Sequence, residues 1–323
     1  MESQTIQELE ALTPVEMDAG LVFSGVPTGN TIWGFQNPCL YTPAIDPHYS
    51  FHESARDAAV WFMNKLDPLY LYGPTGSGKT SLIKQLAARL NYPVLEVTGH
   101  ARLEFADLCG HISLHNGTMR YEYGSLSLAM RYGGPFLINE VDLFSPEVAV
   151  EGAPLCLPEN GGEVIHPHEM FRIACTGNTN GGGDDTGLYQ GTGRMNLAWL
   201  DRFMLCEVNY PDAVVEKDLL VKLHPVLPEH IAVKMVDFAN EIRKQFIGAS
   251  AAYTDTIEVT LSTRTLLRWA DLPLRFQPLA HQGIQPLSYA LDRALGFRAS
   301  RPTRAMLHEL LQRMFPMDCH LGE

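Results

Sequence analysis

The run Gly73-Pro74-Thr75-Gly76-Ser77-Gly78-Lys79-Thr80, a GxxxxGKT pattern, constrains this chain more than any other stretch. Before it lies Leu69-Tyr70-Leu71-Tyr72, a short apolar run of strand character. After it, Ser81 to Arg89 and Leu90 place Leu82, Leu86 and Leu90 on one helical face. The motif therefore sits between a strand end and a helix start, the context its chemistry needs. Its glycines let the backbone close around an anion with several N–H groups pointing inward. The helix N-terminus adds partial positive charge. Lys79 would reach the β- and γ-phosphates and the Thr80 hydroxyl would bind Mg²⁺. The expected cofactors are thus ATP and Mg. A glycine-rich turn that matched by chance would not carry both the strand and the helix.

The chain has 323 residues, enough for a large core and one or two domains. Its apolar fraction of 46% and charged fraction of 19% are those of a soluble globular protein. The net charge of −13 argues against whole-surface binding to nucleic acid, although a local basic pore remains compatible with it. Cys39, Cys109, Cys156, Cys175, Cys206 and Cys319 form no CxxC pair and lie mostly in apolar runs. Buried free thiols in a reducing compartment are expected. Met1 to Gly20 has no apolar signal core, and no apolar run reaches membrane-spanning length. A cytoplasmic location without membrane contact follows as an expectation.

Taken in order, residues 1–50 read as an N-terminal arm, punctuated by Gly25, Pro27, Gly29, Gly34, Pro38, Pro43 and Pro47. A helix is expected between Ser54 and Leu66. Pro93 to Thr98 reads as a second strand. Ile112 to His115, Asn116-Gly117 and Thr118 to Tyr123 carry a β-hairpin signal with a type I′ turn. It reads equally as a plain surface hairpin or as a loop that touches a substrate. A helical stretch follows, Ser125 to Arg131.

Phe136-Leu137-Ile138-Asn139-Glu140 is an apolar run that ends in an acid, the way a buried parallel strand presents a carboxylate at its C-terminal edge. Glu140 would activate or orient the attacking water, with Asp142 a second carboxylate nearby. Glu159 to Ile165 together with His166-Pro167-His168 is a second hairpin candidate. His166 and His168 flank a proline with no third ligand at metal spacing, so they read as loop residues rather than a metal pair. Phe171 to Thr176 is another buried strand, and the amide of Asn178 at its end could hold the attacking water. Gly181 to Gly193 must be a loop. Asn196 to Leu200 reads as a short helix, and Met204 to Tyr210 as a fifth strand. Alternating strands and helices imply an α/β parallel sheet over residues 51–211. Beyond Pro211, Val214 to Leu223, Ile231 to Phe246, Thr263 to Ala270 and Ala305 to Phe315 have helical periodicity, so residues 212–323 read as a small helical domain.

The order of phosphate loop, Asn139-Glu140, Gly177-Asn178, Leu200-Asp201-Arg202-Phe203 and Ser262-Thr263-Arg264 resembles the AAA+ ATPases, and among them the MoxR clade. Ile45 to Phe51, Ala88 to Pro93 and Gly187-Leu188-Tyr189-Gln190-Gly191-Thr192 make it most similar to the cobaltochelatase ATPase subunit, the CobS type. The likeness covers about residues 40 to 270. It implies a P-loop AAA+ sheet flanked by helices with a helical lid, assembled as a hexameric ring with nucleotide between subunits. By matching positions, Asn178 would be sensor 1 and Arg264 sensor 2, reaching in from the lid. Arg202 would be the arginine finger directed at a neighbour's γ-phosphate, with Arg194 as the competing candidate and an ion pair with Asp201 as the bland alternative. The two hairpins would be the clade's inserts. A protein partner, such as one with a von Willebrand factor A (VWA) domain, is expected by analogy.

One position departs from the pattern: Asn139 stands where an aspartate is usual. An amide can still bond a magnesium-bound water but brings no charge, so weaker Mg²⁺ affinity is expected. Three functions compete. One is a motor that remodels a partner protein. The second is a nucleotide-gated scaffold with little hydrolysis, which Asn139 favours. The third is a nucleic-acid motor, which the acidic balance disfavours. No porphyrin or metal-insertion site is visible in the sequence.

Overall fold

The computed structural model describes residues 2–51, 53–64, 67–100, 102–143, 153–183, 192, 194–246 and 257–315. The chain begins with α1 (Glu2–Glu10), β1 (Pro14–Asp18), α2 (Ala19–Ser24), β2 (Thr31–Phe35) and α3 (Ala55–Met63). The α/β part follows: β3 (Leu69–Tyr72), α4 (Lys79–Arg89), β4 (Leu95–Thr98), α5 (Phe105–Cys109), β5 (Gly110–His115), β6 (Thr118–Tyr123), α6 (Ser125–Tyr132) and β7 (Gly134–Asn139). It continues with β8 (Leu155–Leu157), β9 (Glu163–Ile165), β10 (Phe171–Gly177), α7 (Leu197–Leu200) and β11 (Met204–Glu207). The remainder is helical: α8 (Ala213–Leu223), α9 (Glu229–Gln245), α10 (Thr263–Phe276), α11 (Pro286–Ala294) and α12 (Arg301–Met314).

Five strands form one parallel sheet in the order β11-β3-β10-β7-β4. Every residue of β10 is buried, as expected for a strand covered on both faces. Two apolar clusters cover the sheet. One packs Trp61, Phe62, Leu82, Leu86 and Tyr92 against Leu69, Leu71 and Leu137. The other packs Leu108, Leu126, Met130 and Phe203 against Tyr70, Phe136, Ile138 and Cys175. A third surrounds Phe238, Trp269, Leu291 and Leu307 in the helical part. Short elements make up the arm, as its prolines and glycines suggested, but it is not loose: Ile32 and Phe35 are fully buried in the first cluster.

The first hairpin has the expected turn. Asn116 and Gly117 both have positive φ, 48° and 82°, which is what a two-residue type I′ connection requires. In the second, the strands are β8 and β9, and residues 158–162 form the connection between them. The hairpin therefore spans Leu155 to Ile165, starting before Glu159 and ending before His166. The two hairpins are tied together by one polar cluster. Tyr123 Oη donates to Glu163 Oε2 at 2.8 Å, Asn160 Nδ2 donates to the same oxygen at 2.6 Å, and Arg131 pairs with Glu163. Cys109, Cys175 and Cys206 are buried thiols, whereas Cys156 is exposed and Cys39 half-buried. No helix among the described residues is long and apolar enough to cross a membrane.

Candidate active site

The C-terminal ends of β3, β7 and β10 point to one edge of the sheet, where open α/β sheets bind ligands. β3 delivers Gly73, β7 delivers Asn139 and Glu140, and β10 delivers Gly177 and Asn178. Together with the start of α4 they enclose a cavity of about 350 Å³, lined by Thr75, Gly76, Gly78, Lys79, Thr80, Asn139, Glu140, Thr176, Asn178 and Arg264. Of the expected residues, five of the loop, Asn139, Glu140 and Asn178 of the strand ends and Arg264 of the helical C-terminal region line this cavity, whereas Gly73, Pro74 and Ser77 do not.

Backbone geometry makes the cradle. Gly76 and Gly78 have φ of 71° and 97°, a region that costs residues with a side chain, and Gly78 caps α4. A Cβ on Gly76 would also come within 2.7 Å of the Ser262 side chain, so the loop and the start of α10 meet without spare room. The first turn of α4, whose N–H groups have no intrahelical acceptor, lines the same cavity through Lys79, Thr80 and Ser81.

Lys79 Nζ donates to the carbonyls of Gly73 and Pro74, at 2.8 and 3.0 Å, and to Asn178 Oδ1 at 3.2 Å. Burial pushes its ammonium down from 10.5 to about 8. The carboxylates of Asp142 and Glu140 pull it back up, and the Arg264 guanidinium pushes it further down. Thr80 Oγ1 donates to Asn139 Oδ1 at 2.6 Å. Two oxygen donors this close, beside the Glu140 carboxylate, form a hard-oxygen set that suits Mg²⁺. Asn139 Nδ2 in turn donates to Glu96 Oε2 at 3.2 Å. Glu140 has φ of +55°, a strained value for a residue with a side chain, and its N–H donates to Thr176 Oγ1 at 3.2 Å.

Asn178 is held from below. The buried Asp142 carboxylate accepts through Oδ2 from the backbone N–H of Asn178 at 2.7 Å and of Thr179 at 3.3 Å. Its other oxygen has no partner among the described residues. Asp142 therefore fixes the strand end rather than meeting a ligand. Arg264 occupies the first turn of α10, whose N-cap Ser262 accepts from Thr265 N at 3.2 Å. An arginine in a helix's first turn opposes the macrodipole, so its place there is not owed to helix stability.

Arg202 lies elsewhere. It lies two residues before β11, whose first residue Met204 pairs with Leu69, the first residue of β3. It is therefore at the sheet edge opposite the phosphate loop, about 13 Å of strand away. It is exposed and has no ion pair among the described residues, Asp201 included. Arg194 is also exposed, packed beside Gly183. Most of the Gly187 to Thr192 motif lies outside the described residues. His168 accepts from Met170 N at 3.0 Å through Nδ1, and no metal-binding cluster occurs among the described residues.

A second cavity, of about 270 Å³, was not foreseen. It lies on the other side of the loop, lined by Tyr49, Ser50, Ser77, Pro211, Val215, Leu219, Leu223 and Leu267. The strap that brings Tyr49 here is pinned to α4. Gln85 accepts from Asp46 N at 2.9 Å and donates to Ala44 O at 3.1 Å, and Arg89 donates to Asp46 O while covering the Phe51 ring. An apolar slot next to a phosphate cradle has the size and chemistry for a flat base. Only the buried Gln85 and Arg89 facing residues 44–46 could have signalled it, and that signal is tertiary.

Two family models match the chain: the AAA domain (dynein-related subfamily) over residues 68–194, and the CbbQ/NirQ/NorQ C-terminal region over residues 216–314. The chain is 29% identical to the aerobic cobaltochelatase subunit CobS of Sinorhizobium sp over 76% of its own length and 77% of that protein's. It is 30% identical to protein NorQ of Paracoccus denitrificans, over 64% of this chain and 74% of that one. It is 26% identical to the gas vesicle ATPase GvpN of Ancylobacter aquaticus, over 96% and 93%. Phosphate loop, strand order, helical C-terminal region and these relatives agree: the chain belongs to the MoxR-type AAA+ ATPases of the CobS, CbbQ and NorQ kind.

Proposed function

We propose that this chain is a ring-forming ATPase that couples ATP hydrolysis to the remodelling of a partner protein. The observation that carries the reading is the split between the two sets of residues. Lys79, Thr80, Glu140, Asn178 and Arg264 gather round one cavity, whereas Arg202 stands at the opposite sheet edge, unpaired among the described residues and out of reach of that cavity. An exposed guanidinium there is suited to a neighbouring copy's nucleotide.

In this reading the loop N–H groups and Lys79 grip the phosphates, and the slot beside Tyr49 takes the base. Asn178 orients the attacking water and Glu140 accepts its proton. Arg264 brings lid charge onto the same phosphates, and Arg202 of the adjoining subunit stabilises charge as the bond breaks. Thr80 and, through water, Asn139 would hold Mg²⁺, which would supply charge neutralisation at the phosphates.

The first hairpin supports a protein partner. Leu114 and Met119 near its tip are 70% and 76% exposed, with Ile112 beside them. Apolar groups raised on a hairpin suit contact with a polypeptide better than contact with a phosphate backbone. A VWA-domain protein is one such partner. The scaffold alternative rests on Asn139, whose amide lacks the charge of an aspartate. Steady-state phosphate release separates the two. The motor reading expects turnover that Glu140→Gln abolishes while nucleotide binding and assembly persist. Binding and assembly without turnover in the unaltered protein would leave only the scaffold.

A further inference from the structure

Asn139 does not stand alone. Its Oδ1 accepts the Thr80 hydroxyl at 2.6 Å, and its Nδ2 donates to Glu96 Oε2 at 3.2 Å. Glu96 belongs to β4, the edge strand paired with β7, where Thr98 is the direct partner of Asn139. Two residues along a strand return to the same face, so Glu96 flanks Asn139 on the face that bears the cavity. The other oxygen of Glu96 accepts from Lys84 Nζ at 2.7 Å, and Lys84 lies one helical turn beyond Thr80 on α4. The result is a closed circuit of side chains: Thr80, Asn139, Glu96, Lys84 and back through the helix.

The strand that should bring an anionic carboxylate to the magnesium position brings a neutral amide instead. The amide is bonded directly to a carboxylate from the next strand. We propose that Glu96 is a positioning residue that supplies this missing negative charge. It polarises the Asn139 amide and orients Oδ1 toward Thr80, while the ion pair with Lys84 holds the carboxylate in place. This rests on the nucleotide reading above. A surface ion pair between Glu96 and Lys84 with no further role is the alternative, and would contribute little of either sign.

The two accounts differ in binding, not only in turnover. Uptake of a fluorescent ADP by the full chain can be titrated with Mg²⁺ from a chelator baseline. Glu96→Gln keeps size and hydrogen bonding but removes the charge. It is expected to raise the half-saturating Mg²⁺ concentration about three- to tenfold and to leave metal-free nucleotide affinity unchanged. Asn139→Asp in the Glu96→Gln background is expected to restore it, because the charge has only moved. Asn139→Asp alone sets two carboxylates within hydrogen-bond reach and should improve affinity much less. Should Glu96→Gln fail to fold, Glu96→Asp keeps the charge with a shorter reach and is expected to shift the titration in the same direction, less far. An unchanged Mg²⁺ titration in these Glu96 variants, or equal effects of Asn139→Asp in both backgrounds, would overturn the proposal while leaving the nucleotide reading intact. Absence of nucleotide uptake by the unaltered protein would overturn both.

Discussion

The hydroxyl of Tyr70 donates to the carbonyl of Thr179 at 2.6 Å, which fastens the end of β10 to the strand that feeds the phosphate loop. The contact is close: a Cβ on Gly177 would come within 2.1 Å of that hydroxyl, so only glycine fits there. Asp142 holds the same strand end from the other side, through the Asn178 and Thr179 N–H groups. Asn178 is therefore clamped between β3 and the turn after β7.

Tyr70→Phe removes one arm of that clamp and leaves a half-buried carbonyl without its donor. The expected cost is about 1–3 kcal/mol of stability. If Asn178 orients water, kcat falls by more than KM rises, because the loop that grips the nucleotide is untouched. Thermal unfolding and steady-state kinetics measure the two effects separately. Lost stability with an unaltered kcat would assign Tyr70 a structural role only.

Arg202→Ala is expected to leave nucleotide affinity near its original value and to lower turnover by about 10³-fold or more. The same residue gives a test of shared sites. Mixing Arg202→Ala with Glu140→Gln subunits should recover activity, because some sites then combine an intact Glu140 with an intact Arg202 from next door. Two inactive pools that remain inactive on mixing would count against a finger supplied by a neighbour.

Lys79 gives a pH prediction. With its ammonium at about 8, the free protein holds it charged below that pH and neutral above it. Nucleotide binding should then weaken as pH rises through 8, by up to about tenfold per unit. Folding stability should move the other way. The unfolded chain keeps its lysine at 10.5 and so binds more protons between 8 and 10.5, which makes stability rise with pH across that window. Lys79→Met should flatten the stability curve. Calorimetric unfolding and nucleotide titration at matched pH values check both signs.

Glu258 anchors the last helix. Its carboxylate accepts from Ser300 N and from Thr303 Oγ1, each at 2.7 Å. Burial works to raise it, but those hydrogen bonds prevail and hold it down at about 2, from an ordinary 4.5. A depressed carboxylate stabilises above its unfolded value, so this contribution should be whole above pH 4.5 and lost as pH falls toward 2. Glu258→Gln should lower Tm by about 2–4 °C near neutrality and reduce the acid slope. A slope identical to the parent's would assign the acid sensitivity to other carboxylates, such as Asp292.

Much of the catalytic half was legible because its signals are local. Each of the five core strands was marked by an apolar run, and each functional strand end by a polar residue directly after it. The Asn116-Gly117 turn was readable because the type I′ geometry admits few residue pairs. What escaped depends on contacts distant in sequence. Tyr49 enters the second cavity because Gln85 and Arg89 grip residues 44–46, some forty positions away, and no spacing rule encodes that. Asp142 looked like a spare acid, and only its two backbone donors reveal a brace. Glu96 drew no attention within the strand run Pro93 to Thr98, because its bond to Asn139 exists only through sheet pairing. α11 was missed because Pro286 opens it and its apolar stripe is short. In the arm, glycines and prolines truthfully marked short elements, yet they do not report whether Ile32 and Phe35 are covered.

The missing methyl at Gly76 has a mechanical corollary. A methyl there would lie 2.7 Å from the Ser262 side chain, closer than van der Waals contact allows, so the loop and the N-cap of α10 leave no room for a larger residue. Gly76→Ala would therefore have to push the phosphate loop and the start of α10 apart.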